Sequence, residues 1–133
     1  MLKPDFTKYS LALIQGDKII YSSQDNGLKP LWDCLKNYRQ TKNSFILYDK
    51  VIGLAAAKLI VYSKIISEIQ TLLVSQPAKK FLEENKIPLK AKNTVDNILT
   101  KNCQLICPGE IIALSSETPE DFHAKIMAML KNH

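Results

Sequence analysis

Apolar and polar positions along the chain group into short runs of two different periods. "YSLALIQGDKIIYSS" (9–23) sets two apolar, β-prone runs on either side of Gln15-Gly16-Asp17-Lys18. Glycine there can take the positive φ of a tight turn, so the segment predicts a β-hairpin. In "LKPLWDCLKNY" (28–38), Leu28, Leu31, Trp32 and Leu35 recur at helical spacing and Pro30 falls in the first turn, where it is tolerated. "SFILY" (44–48) is a short apolar run that fits a buried strand. Asp49 follows as a candidate cap for a helix in "KVIGLAAAKLIVYSK" (50–64), rich in alanine and leucine.

The second half continues the alternation. "SEIQTLLVS" (67–75) reads as a strand, and "QPAKKFLEENK" (76–86) as a helix with proline near its start. "LKAKNT" (89–94) is a weak strand, and "VDNILTKN" (95–102) a short helix. "CPGEIIALSS" (107–116) predicts a helix from Pro108. "TPEDFHAKIMAMLK" (118–131) is the clearest helix, with Thr118 as cap, Pro119 first and acids in the first turn. Strands separated by helices imply parallel crossovers, and the hairpin adds an antiparallel strand. The expectation is one α/β domain over 1–133, a three-layer α/β/α sandwich with a mixed five-stranded sheet between helices.

Composition narrows the class. The chain has 133 residues, 46% hydrophobic and 23% charged, enough for a core and too apolar for a disordered chain. The apolar run from Val51 to Ala57 ends at Lys58, far short of a bilayer span. The first residues carry no apolar signal region, so we expect a cytoplasmic protein and no membrane partner. The net charge of +5 is lysine-borne, with Arg39 the single arginine. The lysines are scattered, with a loose cluster at Lys79, Lys80, Lys86, Lys90 and Lys92, which reads as a solvated surface rather than a nucleic-acid site. Three cysteines in a chain without a signal peptide argue against a disulfide framework.

Two stretches could carry chemistry. Asp49-Lys50 stands where a strand ends and a helix begins, the edge at which α/β sheets bind ligands and helix N–H groups point outward. An acid and an amine there could hold a polar ligand. Equally, Asp49 could only cap and Lys50 only be solvated. Gly53 favours a close approach by strand or ligand, since glycine inside a helix costs about 1 kcal/mol against alanine. Lys58 interrupts an apolar helix and is read as part of an exposed stripe. In "NCQLICPGEIIAL" (102–114), Cys103 and Cys107 have Cys-x-x-x-Cys spacing, not the usual zinc pair, and His123 and His133 are distant in sequence. We expect no metal site and no cofactor. Pro108 at the first helical position would make Cys107 the cap, where a helix dipole lowers a thiol pKa. Glu110, at the third position, can fold back towards it. That makes a thiolate–carboxylate pocket or an unusual capping arrangement.

The runs "GDKIIYSS", "GLKPLWDCL", "DKVIGLAAAKL" and "CPGE" together resemble a small prokaryotic family, of unassigned function, with a cytidine-deaminase-like fold. The resemblance extends from about Leu11 to Leu114. It implies a mixed sheet with helices on both faces and a pocket built from Asp49, Lys50, Gly53, Cys107 and Glu110. Asp49-Lys50-Val51 stands near the step where a deaminase carries His-x-Glu, and "CPGE" does not match Pro-Cys-x-x-Cys, so the zinc chemistry is not implied. The resulting expectation is a metal-free site for a nucleoside, nucleotide or other small polar metabolite. Cys107 would be the candidate nucleophile, with Glu110 or Asp49 the acid/base. The alternative is a non-catalytic binding or homo-oligomerisation module.

Overall fold

Gly16 adopts φ +63°, and this single left-handed residue closes the opening hairpin. It joins β1 (Leu11–Gln15) to β2 (Lys18–Ser23), paired antiparallel from Leu11↔Ser23 to Gln15↔Lys18. The computed structural model describes residues 3–25, 27–38, 44–96 and 108–131, with side chains of 108–110 excluded.

Helix α1 (Lys29–Tyr38) leads to β3 (Phe45–Asp49), which pairs antiparallel with β1 in the register Leu11↔Asp49 and Leu13↔Leu47. A two-residue strand, β4 (Val51–Ile52), follows after one interrupting residue, Lys50. Both pieces lie parallel to the long strand β5 (Ile66–Ser75), and the residue offset from Ile46↔Glu68 to Ile52↔Val74 does not change. They are thus one lane of the sheet, broken in the middle. Strand β6 (Leu89–Val95) pairs parallel with β5 from Ile69↔Leu89 to Ser75↔Val95, on its other edge. Among the described residues the mixed sheet therefore has five lanes, in the order β2, β1, β3/β4, β5, β6.

The crossovers are α2 (Leu54–Ser63) between β4 and β5 and α3 (Gln76–Glu84) between β5 and β6; α4 (Pro108–Ser115) and α5 (Pro119–Lys131) follow. The predicted caps of the last helix form: Thr118 Oγ1 accepts from the Asp121 N–H at 3.0 Å. α2 is buried almost all round, through Leu54, Ala55, Ala56, Ala57, Leu59 and Ile60, as an apolar central helix should be.

All five helices feed one core, which takes Leu11, Leu13 and Leu47 from the sheet. The alternate residues Ala12, Ile14 and Tyr48 point to the other face, where Tyr9 and Phe6 from the N-terminal segment cover them. Among the described residues no helix joins that second cluster. The expected helices on both faces are therefore not found in the described part; its helices form one layer. The reason lies in the connections. The steps from β2 to β3, β4 to β5 and β5 to β6 all advance across the sheet in the same direction, and right-handed crossovers that advance the same way lie on one face. The predicted helix over 95–102 begins inside β6, since Val95 is its last residue, and 97–102 fall outside the described residues. No described helix is long and apolar enough to cross a membrane.

Candidate functional site

The break in the β3/β4 lane is the focus. Asp49 ends β3, and the nearby backbone N–H groups of Val51 and Lys50 favour its charged form. The Lys50 N–H donates to the Ser10 carbonyl at 2.9 Å, which ties the break to the start of β1. Asp49 does not cap α2, as the sequence suggested. That role falls to Gly53, which is buried, extended at φ −97°, and offers no side-chain cap. Lys50 is exposed, outside the helix.

Electrostatics at Asp49 are unusual for a carboxylate. Burial pushes its pKa up to about 8, and the two backbone N–H groups pull against this only in part. At neutral pH the group is mainly a protonated acid, able to donate a hydrogen bond. Leu11 flanks it on the β1 side, and Thr71 is the next β5 residue past the Tyr48↔Gln70 pair. Thr71 is buried, and its hydroxyl both accepts from the Leu73 N–H at 3.3 Å and donates to the Leu73 carbonyl at 3.2 Å. Below lies Cys34 of α1, 0% exposed. Its thiol is pushed up to about 12, first by burial and then by the charge of Asp49.

A residue that the sequence reading passed over completes this edge. Ser75, 0% exposed, caps α3 by accepting from the Ala78 N–H at 3.3 Å. Because Ile52 and Val74 are register partners, the next residues, Gly53 and Ser75, start two helices side by side. Ser-x-Pro ahead of an amphipathic run, "SQPAKKF", was the signal available for it. Two helix N-termini at adjacent strand ends concentrate partial positive charge there.

Asp49 and Lys50 thus lie at the break within the lane, and Gly53 follows its carboxyl end, four residues on from Asp49. Glu110 lies on α4, which packs against α2, but its side chain is outside the described set. Cys103 and Cys107 are outside the described residues; α4 does begin at Pro108, as predicted. Lys58 departs from its expected role. It is half-buried, not on an exposed stripe, and its amine donates to the Ala113 carbonyl near the end of α4. The amine sits over the Phe122 ring at 5.6 Å and the Phe81 ring at 6.0 Å, and burial lowers its pKa. A cation at a helix C-terminus offsets the unpaired carbonyls there.

No curated protein matches the chain. Among solved structures, the chain is similar to a crystal structure of a DUF1893 family protein (TM1506) from Thermotoga maritima. The two share 26% identity and a TM-score of 0.80, over 92% of this chain and 82% of that one. The family model described as TM1506, domain of unknown function (DUF1893), matches residues 5–130, and the chain belongs to that family.

Proposed function

We propose that this chain carries a metal-free site for a small polar ligand, a nucleoside, nucleotide or related metabolite, on a deaminase-like scaffold. The observation that carries the reading is the Asp49 carboxyl, partly shielded at the break in the β3/β4 lane with its pKa at about 8. An acid with a displaced pKa where a strand is interrupted is the kind of group that ligand sites use. The paired starts of α2 and α3 add oriented N–H groups on the same edge. In this reading Asp49 donates a hydrogen bond to the ligand and Lys50 meets its polar rim. Gly53 leaves the α2 start open to it. Cys107 and Glu110, the candidates read from the sequence beside the α4 start, are the further residues this reading assigns to the ligand. A catalytic version assigns Cys107 as nucleophile and Glu110 or Asp49 as acid/base, without a metal.

Calorimetry with a panel of uncharged nucleosides and their phosphates tests this. At least one should bind, and Asp49→Asn or Lys50→Ala should weaken it roughly tenfold. No binding across the panel, or wild-type affinity in both variants, refutes the proposal. A second reading, a homo-oligomerisation module, is favoured by Ile111 and Leu114 on α4, exposed at 54% and 56%. Sedimentation of wild type against Ile111→Ser with Leu114→Ser separates the two, since only the second reading predicts that the variant shifts to monomer.

A further inference from the structure

A different face of the helical layer combines aromatic rings and lysines. Helices α1 and α5 run antiparallel there: Trp32 meets His123 early in α5, while an indentation shared by Lys29 and Asp33 is closed by Leu130 and Lys131 at its end. Two indentations of about 230 and 250 Å³ adjoin along this crossing and share Trp32, Lys36 and Met127. The first is aromatic and apolar. The Trp32 and His123 rings are 4.5 Å apart at their centroids and tilted by 37°. Leu59 and Tyr62 of α2 also line it, and Tyr62 is held edge-on by Phe81 and Phe122. The second is basic. Among the described residues, Lys29, Lys36 and Lys131 line it against a single carboxylate, Asp33, and that carboxylate is 3.5 Å from the Lys29 amine, which offsets it. Glu120 acts on Tyr62, in the aromatic half.

We propose that this α1–α5 face is a second ligand site, for an anion with an aromatic body of the nucleoside phosphate class. An aromatic ring stacks on aromatic faces whatever its substituents, and lysine amines hold phosphate as point charges. Each hollow alone is below the ~300–1,000 Å³ typical of enclosed small-molecule sites, so the ligand would lie across both. What separates this face from the rest of a lysine-rich surface is that rings and amines line adjoining hollows. The site is distinct from the sheet edge: Tyr62 is nine residues beyond Gly53, roughly 13 Å along α2.

Trp32 is the only tryptophan in the chain, so its emission reports directly on this face. Adenosine monophosphate should quench it saturably in the millimolar range or below, with adenosine and inorganic phosphate each much weaker and the AMP response reduced by salt. Lys36→Gln combined with Lys131→Gln, both exposed positions, should weaken AMP roughly tenfold. Lys18→Gln combined with Lys92→Gln, exposed lysines on the sheet strands that line neither hollow, should leave the response unchanged. Three results would overturn the proposal: no saturable quenching by AMP, an equal response to adenosine with the Lys36 and Lys131 variant unaltered, or the same loss of response in the Lys18 and Lys92 variant as in the Lys36 and Lys131 variant.

Discussion

Replacing Asp49 by asparagine should stabilise the protein at neutral and alkaline pH. Asparagine has the same shape and keeps a carbonyl oxygen for the Val51 and Lys50 N–H groups, but it has no charge to desolvate. The Asp49 pKa rises from 3.8 to about 8 on folding. Below the lower value both folded and unfolded chains are protonated, and the acid carries no penalty. Between the two values the folded chain holds a proton that the unfolded chain has lost, so stability falls as pH rises. Above the upper value the fall levels off. At 1.36 kcal/mol per pKa unit the full shift corresponds to roughly 5–6 kcal/mol. Asp49 is partly shielded from solvent, so this figure is an upper limit, approached only above pH 8.

The assay is urea unfolding of wild type and Asp49→Asn at pH 5, 7 and 8.5. The gap between the variants should widen over that interval with unchanged m-values, and the asparagine form should melt above wild type at the alkaline end. Groups that titrate alike in both proteins cancel in the difference. Asp5 has a lowered pKa, set chiefly by the Thr7 hydroxyl, so its contribution is lost only on acidification below this window. Equal stability at pH 8.5, or a gap that does not grow with pH, would refute the account of a desolvated carboxyl. A group retained against stability is what a ligand site would require.

Lys58→Met keeps the aliphatic stem but removes the donor to Ala113 and the cation over Phe122; it should cost about 1–2 kcal/mol in chemical unfolding, whereas an exposed-stripe lysine would show no loss. With its thiol at about 12, Cys34 should resist alkylation at neutral pH until the protein is denatured. Cys107 should label first, and faster in Glu110→Gln, since a nearby carboxylate opposes thiol ionisation; peptide mapping of labelled protein checks both. Elemental analysis after chelator-free purification should give no stoichiometric zinc, and one zinc per chain would overturn the reading of Cys103 and Cys107.

The parts of this fold that were legible in the sequence are those set by neighbours in the chain. Gly16 sets its turn, and Thr118 and Pro119 start α5 through contacts a few residues long. The lane order of the sheet was half legible, because alternating strands and helices specify crossovers without specifying that every crossover advances the same way. That one fact of pairing places the described helices on one face. The same limit explains Asp49 and Lys58. Periodicity marks Asp49 as the end of an apolar run, and a cap is the default for an acid there. Only the pairing with β1 and β5 shows that the lane continues beyond it, so the acid is shielded within the sheet rather than released to a helix start. Lysine in an apolar helix defaults to solvent, yet α2 is central, and its amine must find a carbonyl. It finds one at the end of α4, the helix that begins with "PGE". Lys58 thereby ties α4 to α2, the helix that Gly53 opens at the sheet edge.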